Sequence, residues 1–423
     1  MRIALLLALC FPLLFSGCSC NREKKGPVTG THRPLSARQN DRTISAAKQT
    51  SSPQPSPEKK KRKKKHHLTI TEGKPVLKRD SLFIEKMQYL RSNALDIDIN
   101  EPVSREFLGS SLPVEEFHSV ITIGPEIYFK ASFDNDIFDN TDRFYTNGIR
   151  LDLIHPVFQR SPIRYVQIPY WRAGINYYGI ALVQNMYTPF TTKVGGIHSG
   201  DRPYAAYLYF AGYKITNDAA NRYRQASEID MGVIGPSSMG DHVQSIVHTT
   251  VPTNNEPLGW EYQVQDDLVL NYRFSLEKGL FPQKKNTEIN VFANAALGTL
   301  YTNISGGFYF RAGVFNPYFI NLGLQKKRMN RALNLKNFQW FFFINTGMKV
   351  VGYDATLQGG MFNHSSPYTL SADQISRVIF QGSGGVVLTY GAVRLECEQF
   401  LLSPEFAHGW WHKWIHLGLT FCL

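Results

Sequence analysis

The feature that most constrains this chain is a two-residue alternation of apolar and polar side chains that begins near Phe117 and recurs to the C-terminus. Along residues 149–153, apolar side chains alternate with an arginine and an aspartate. Residues 415–423 repeat the pattern directly after a tryptophan-rich stretch, residues 410–414. Segments of about ten alternating residues with aromatic side chains near their ends are typical of strands that cross a membrane as a β-barrel. Residues 117–423 are therefore predicted to form an outer-membrane β-barrel.

Twelve alternating segments can be delimited, an even number, as is usual for bacterial barrels. The predicted fold class is all-β, a twelve-stranded antiparallel transmembrane β-barrel. A soluble β-sandwich or a large soluble barrel is the rival architecture, and the secretion signal and the aromatic segment ends argue against it. The predicted strands are 119–133, 145–155, 174–185, 203–214, 223–235, 264–278, 287–300, 303–314, 338–352, 376–388, 391–402 and 410–423.

Two further details follow from the pattern. Residues 291–310 carry no charge, but they hold too many Asn, Thr, Ser and Gly residues for a membrane helix, so a hairpin turning near Tyr301 is predicted. Alternation places Cys397 on the outward face and Cys422 on the inward face. These two cysteines are therefore not expected to form a disulfide.

The N-terminus is predicted to be a secretory signal over residues 1–17. One arginine precedes an apolar run over residues 3–15, and small residues come directly before Cys18. This arrangement resembles a lipoprotein signal, in which Cys18 becomes the lipidated first residue of the mature protein. Because Phe15 stands where that pattern usually has leucine, ordinary cleavage without lipidation is the alternative.

Residues 18–116 are predicted to be a disordered basic arm with one short helix over residues 81–95. Residues 21–67 are rich in Ser, Thr, Pro, Gln and charge, so they bury too little apolar surface to offset the entropy of ordering. The basic run from Lys59 to His67 suits contact with acidic cell-wall polymers or lipid headgroups, and a solvated linker is the alternative.

The net charge of +12 is concentrated in this arm, which with the signal holds 21 basic and 12 acidic residues. The remaining chain, residues 117–423, holds 25 basic and 22 acidic residues. Nucleic-acid binding by the barrel therefore has little electrostatic support.

If the N-terminal side of the first strand is periplasmic, each connection after an odd-numbered strand lies at the external rim. The first three of these connections hold the least generic polar residues. Asp136 and Thr146 fall on the lumen side by alternation and flank a nine-residue loop, so the two are predicted to converge. Gln244 and His248 are four residues apart, which on a helix puts both on one face. Histidine is a natural general base near neutral pH, although an ordinary surface or structural histidine is the alternative for His248.

Several separate motifs, in matching order, resemble the outer-membrane lipid A 3′-O-deacylases over about residues 117–423. The resemblance implies a twelve-stranded barrel in the bacterial outer membrane, with a calcium-dependent site at the external rim that faces the outer leaflet. It implies removal of the 3′-linked acyloxyacyl chain of lipid A, with lipopolysaccharide as the partner. The motifs are Asn135-Asp136, Asp142 to Gly148, Gln184 to Pro189, Gly200 to Ala205, Gly232 to Pro236 with Gln244 and His248, and Gly259-Trp260 with Gln263.

The same resemblance assigns roles to individual residues. His248 would be the base that removes a proton from the attacking water, and Asp136 would hold Ca²⁺. Polar catalytic positions match Asn135, Thr146 and Gln244, while basic substrate-binding positions match Lys193 and Arg202. Calcium takes about six to eight oxygen ligands, so most of them would come from other groups than the Asp136 carboxylate.

One departure from the family pattern lies after the histidine, where Asn254 stands at an expected acidic position and Glu256 is the nearest carboxylate. Two other functions are compatible with the sequence. The chain could be a non-catalytic porin, adhesin or wall-anchoring barrel. It could also be an outer-membrane phospholipase with a serine nucleophile.

Overall fold

The computed structural model describes residues 122–124, 126–136, 143–170, 174–250, 257–282 and 284–423, with the backbone only for residues 122–123 and 247–250. The predicted signal peptide, Cys18, the basic arm with its Lys59 to His67 run, and the short helix over residues 81–95 all lie outside the described residues. These assignments stay predictions.

Twelve antiparallel strands form a closed barrel, as the alternation predicted. Each strand pairs with the next, and the last pairs with the first from Ile415 opposite Asn135 to Cys422 opposite Tyr128. The strands are β1 Tyr128–Asn135, β2 Phe144–Ile154, β3 Ile175–Thr188, β4 Ala205–Asp218, β5 Tyr223–Ile234, β6 Asp267–Gly279, β7 Thr287–Gly298, β8 Tyr301–Val314, β9 Phe338–Asp354, β10 Val378–Tyr390, β11 Val393–Leu402 and β12 His412–Cys422.

The first strand is shorter than predicted. It was expected over residues 119–133, whereas β1 begins at Tyr128, and Thr122–Ile123 form a separate two-residue strand that pairs in parallel with the start of β3. The sequence between them begins with Gly124-Pro125, and proline has no backbone N–H to donate in a ladder of strand hydrogen bonds. A side chain on Gly124 would collide with the Tyr177 ring, so the chain bends there with a glycine against that ring.

The outer wall is apolar, because alternate residues of each strand point outward. Along β9, Phe338, Trp340, Phe342 and Ile344 are exposed, while the intervening residues are buried or half-buried. In a membrane barrel these outward side chains meet lipid. The predicted hairpin is confirmed, since β7 and β8 are joined at residues 299–300, and both cysteines are free, with Cys397 exposed and Cys422 buried.

The lumen is lined by paired charges. Cavities of about 390 and 310 Å³ are both lined by Arg150 and Glu228, which form an ion pair at 2.9 Å. Buried ion pairs add little net stability, but removal of one partner leaves an uncompensated charge. The interior is thus polar, and its charged side chains form ion pairs with one another. Other lumen pairs are Arg273 with Asp230, Arg311 with Glu288, and Arg394 with Glu396.

Two long connections shape the end of the barrel where β2, β4, β6 and β8 finish. Residues 315–337 join β8 to β9, contain the helix α2 Lys327–Ala332, and fold across the lumen. The carbonyl of Asn321 accepts hydrogen bonds from Asn217 of β4 and Arg224 of β5. Residues 155–174 join β2 to β3 through two short 3₁₀ helices, residues 156–160 and 162–165.

The opposite rim carries the odd-numbered connections. It includes the helix α1 Gly240–Thr250 between β5 and β6 and the helix α3 Ala355–Gln358 between β9 and β10. Two 3₁₀ helices, Pro236–Ser238 and Trp260–Tyr262, flank α1. Among the described residues no helix is long and apolar enough to cross a membrane. The three connections that the sequence singled out meet at this one rim.

Candidate active site

A row of four side chains crosses β1 to β4 near the rim. Asn135 pairs with Asn147, Asn147 with Met186, and Met186 with Ala206, and directly paired residues share one face of a sheet. Tyr187 and Tyr207, which follow Met186 and Ala206 in the chain, point to the other face of the sheet.

The tyrosine rings identify that other face as the lumen. Tyr187 and Tyr207 reach Tyr301 of β8, a strand that does not adjoin β3 or β4, with the Tyr187 and Tyr301 hydroxyls 3.0 Å apart. Contact between such strands is possible only through the barrel interior. The row of Asn135, Asn147, Met186 and Ala206 is therefore on the outer wall.

Helix α1 lies against this row. An added side chain on Gly240 would come within 2.2 Å of the Ala206 Cβ, so the helix start touches the outer wall at its closest. Trp260, from the segment after α1, packs against Met186 and Ala206. Its indole N–H donates a 2.7 Å hydrogen bond to the buried Gln244 side chain, which fixes α1 to the wall.

His248 lies one helical turn after Gln244 on α1, so the helix predicted for this pair is present. The structure describes the backbone of residue 248 and not its side chain. The role of His248 as a base stays a prediction.

Asp136 and Thr146 do converge at the rim. The Asp136 N–H donates to the Thr146 carbonyl at 3.4 Å, and the buried Asp136 carboxylate accepts a 3.0 Å hydrogen bond from the Arg143 N–H. The Thr146 hydroxyl donates to the Met186 carbonyl at 3.5 Å. The strand register shifts between Tyr145 and Asn147, so Thr146 sits at a bulge, where simple alternation does not assign a face.

The oxygen atoms around Asp136 are of the kind that calcium prefers. The Thr146 carbonyl accepts the Asp136 N–H, and the adjacent Asn147 has a buried Oδ1 with no hydrogen-bond partner among the described residues. Within the described residues no cluster of three or more His, Cys, Asp or Glu is suited to a metal ion. The donor set therefore fits a hard cation held by one carboxylate and several neutral oxygens.

The two predicted basic residues have different surroundings. Lys193 is exposed in the connection between β3 and β4, and its neighbour Thr192 accepts a hydrogen bond from the N–H of Leu258, close to Trp260. Arg202 is almost fully buried and forms an ion pair with Glu405 at 2.5 Å. Lys193 thus borders the α1 region, whereas the guanidinium of Arg202 is already engaged.

Arg202 joins three connections of the rim. Its guanidinium also donates to the Thr356 hydroxyl of α3 and lies 4.1 Å from the centre of the Tyr187 ring. Burial alone would raise the pKa of the Glu405 carboxyl, but the Arg202 guanidinium lowers that pKa below its ordinary value. The pair therefore stays ionised and holds the rim together.

The sequence did not single out Asn147, Met186 or Arg143 individually. Asn147 and Met186 enter the site because the strand register places them in one row with Asn135. The Arg143 guanidinium is 4.8 Å from the centre of the Phe190 ring, in a different connection. Such contacts arise between separate parts of the chain, and the motif strings Asp142 to Gly148 and Gln184 to Pro189 were the sequence signals for these residues.

A closed barrel with an apolar outer wall, a charged lumen and polar side chains gathered at one rim defines an integral outer-membrane β-barrel with a rim site. A model of the family of the outer membrane protein LpxR matches residues 118–421. The chain belongs to the LpxR family of bacterial outer-membrane proteins.

The solved structure of a family member agrees on the fold. LpxR from Salmonella typhimurium superimposes with a TM-score of 0.54 at 18% sequence identity, covering 70% of this chain and 100% of that one. The β-domain of the Bordetella autotransporter BrkA gives a TM-score of 0.38 at 11% identity, covering 71% of this chain and 100% of that one, and it adds nothing to the assignment. No curated protein sequence matches the chain.

Proposed function

We propose that this protein hydrolyses the ester of the 3′-linked acyloxyacyl chain of lipid A in the outer leaflet of the outer membrane. The observation that carries the proposal is the position of α1 on the outer wall, where Gly240 lies against Ala206 and Met186 of the row that continues to Asn135. The Thr146 hydroxyl donates to the Met186 carbonyl in the same row. Family membership and the motif resemblance agree with this reaction.

A site on the outer wall suits a lipid substrate. The row of Asn135, Asn147, Met186 and Ala206 shares its face with the apolar surface that meets the membrane. An acyl chain can therefore reach the outer wall beside α1 sideways, while its tail stays among the lipids. The lumen offers no such sideways route, because the twelve paired strands form a closed wall.

His248 would act as the general base of the reaction. It removes a proton from water as the water oxygen attacks the ester carbonyl, and the proton then passes to the sugar oxygen as the carbon–oxygen bond breaks. Gln244, fixed by Trp260, and Asn135 and Thr146 would orient the water and the ester. A water nucleophile leaves no covalent enzyme intermediate, unlike a serine nucleophile.

The two basic residues would act at different distances from the ester. Lys193, exposed beside the α1 region, would contact anionic groups of the substrate. Arg202, assigned by resemblance to substrate binding, would support that binding indirectly, because its buried guanidinium braces the rim connections.

Calcium is proposed as the cofactor, held by the Asp136 carboxylate and neighbouring oxygens of Thr146 and Asn147. When bound, the ion supplies positive charge that stabilises the negative charge developing on the ester oxygen. The Asp136 carboxylate is buried and accepts a hydrogen bond from the Arg143 N–H. With a single carboxylate, the affinity should be modest.

The test is mass spectrometry of lipid A from outer membranes that contain the intact protein, with and without a calcium chelator. The wild type should release the 3′-linked chain only when calcium is present. His248→Ala should abolish release, because it removes the proposed general base.

His242→Ala is the matched control, since His242 is an exposed histidine on the same helix. It should keep wild-type activity. Deacylation by a folded His248→Ala barrel would refute the proposed base. Unchanged lipid A in the presence of folded wild type and calcium would refute the reaction itself.

A further inference from the structure

The connection between β2 and β3 crosses the outer wall of the barrel. Its described part, residues 155–170, is called the strap here. Pro156 and Pro162 begin its two 3₁₀ helices, which are capped by His155 and Ser161. Proline is suited to the first position of a helical turn because its fixed φ fits and its missing N–H is not needed. The strap is thus an ordered element.

Contacts with three strands place the strap on the outside. The Ile163 side chain fills the space over Gly212 of β4, which pairs with the outward Ile180. The Tyr272 hydroxyl of β6 donates to the Val166 carbonyl at 3.1 Å and accepts from the Ile168 N–H at 3.2 Å. Tyr272 alternates along β6 with exposed Leu268 and Leu270 and so belongs to the outer wall.

The strap covers a polar part of that wall. Gln225 of β5 points away from the lumen, since its neighbour Arg224 points into it, and it donates to the Ile168 carbonyl. Thr216 of β4 is likewise outward, and both Gln225 and Thr216 are buried. Polar side chains that face lipid without a hydrogen-bond partner cost free energy. By covering Gln225 and Thr216, the strap keeps these two side chains away from the membrane.

The face that the strap turns away from the barrel combines apolar, aromatic and basic side chains. Tyr165 is 76% exposed, and Val157 and Val166 are also exposed. Arg160 and Arg164 are exposed as well, and the strap contains no Asp or Glu. Aromatic rings beside long basic side chains are the composition found where a protein meets lipid headgroups.

The two arginines have their charges available. Arg164 lies over the Tyr165 ring and donates to its hydroxyl and, at 3.5 Å, to the Gln159 carbonyl, all neutral groups. At the strap's C-terminal end, the Asp218 carboxylate already accepts a hydrogen bond from the Tyr170 hydroxyl. The exposed face of the strap is therefore positively charged.

We propose that the strap binds the phosphate headgroup of an anionic phospholipid in the leaflet next to this end of the barrel. Charge complementarity and the location on the outer wall select this occupant. With the candidate site facing the outer leaflet, the leaflet concerned is the periplasmic one. The proposal is independent of the hydrolytic reaction, so phospholipid binding without deacylation would count against the proposed function alone.

The experiment is native mass spectrometry of the full-length protein in detergent with equal amounts of phosphatidylglycerol and phosphatidylcholine. The wild type should retain phosphatidylglycerol preferentially. The double variant Arg160→Gln with Arg164→Gln should lower that preference by roughly tenfold, since each basic residue near an anionic membrane surface adds several-fold to the affinity.

The matched control is Lys326→Gln with Arg331→Gln, which removes two exposed charges from the connection that folds across the lumen at the same end. It should keep the preference. Heat-modifiable migration on gels verifies that every variant is a folded barrel. An unchanged preference in the strap variant, or an equal loss in the control, would overturn the proposal. So would a wild-type dimer that the strap variant loses, because the occupant would then be a second copy of the chain.

Discussion

At the residue scale, Arg202 shows that the position of a motif residue in the structure decides which contacts it makes. Its motif, Gly200 to Ala205, resembles a substrate-binding string, yet its guanidinium lies among Glu405, Thr356 and the Tyr187 ring. A buried pair of this kind adds little stability when intact and costs much when one partner is removed. The rim that carries the candidate site therefore depends on an ion pair outside it.

Glu405→Gln should lower the free energy of unfolding by about 3 kcal/mol at neutral pH, because it leaves the buried Arg202 charge unpaired. The folded pKa of Glu405 is lowered, so its contribution is complete above the pKa of an unfolded glutamate, about 4.3, and is lost as the pH falls through the folded value. The difference between wild type and variant should shrink in acid. Urea unfolding in liposomes, followed by tryptophan fluorescence at neutral and acidic pH, measures it.

Glu261→Gln is the control, since Glu261 is an exposed carboxylate on the 3₁₀ helix Trp260–Tyr262 of the same rim. It should change the unfolding free energy by less than about 0.5 kcal/mol. Equal stabilities of wild type and Glu405→Gln at neutral pH would mean that the ion pair does not hold the rim.

At the element scale, helix α1 packs so closely against the outer wall that the contact leaves no space for a side chain at Gly240. Gly240 allows the helix to approach Ala206 on the wall, and the Trp260 indole holds the next turn in place by donating a hydrogen bond to Gln244. The helix itself carries both Gln244 and His248, so a small displacement of α1 moves both relative to Asn135 on the wall.

Gly240→Ala should push the start of α1 away from Ala206 and, under the proposed function, slow deacylation about ten- to a hundredfold, since displacements of about 1 Å at a catalytic site can cost that much. The barrel should still fold. The initial rate of fatty-acid release in detergent micelles is the measurement.

Gly195→Ala is the corresponding control in the neighbouring connection, where an added side chain meets only the Leu258 Cβ at an ordinary 3.6 Å. Its rate should equal that of the wild type. If Gly240→Ala were as fast as Gly195→Ala, the close contact of α1 with the wall would have no part in the reaction.

At the scale of the whole molecule, the barrel is closed rather than open. Residues 315–337 fold across one end and bond to strands that are not neighbours, with Tyr128 of β1 donating to the Leu324 carbonyl and Arg224 of β5 to the Tyr318 carbonyl. At the other end the side chains of three tyrosines and of Arg202 fill the space above the charged lumen. The tyrosines are Tyr187, Tyr207 and Tyr301. This architecture argues against a porin.

The purified wild type should pass no steady ion current in planar bilayers. Replacement of residues 318–335 by a short Gly-Ser linker should still give no steady current, because the tyrosines and Arg202 continue to fill the other end. Heat-modifiable migration confirms that both proteins are folded barrels. A steady current through the wild type would contradict a closed lumen.

Most of the fold could be predicted from sequence, because the period of two in the side chains reports directly which residues lie in strands. All twelve strands appear near their predicted positions, and the hairpin at residues 299–300 and the two free cysteines agree as well. The largest error, the start of β1, came from reading apolar residues across the Gly-Pro sequence as one strand.

The sequence by itself determined the strands, their order and the rim at which the motif residues gather, because these depend on local alternation and on chain connectivity. Only the tertiary structure decided that α1 lies on the outer wall against Ala206, that Arg202 is buried against Glu405, and that residues 315–337 close one end of the lumen. Each of these depends on contacts between segments far apart in the chain, set by strand register and by packing across the barrel. No local pattern of residues carries that information.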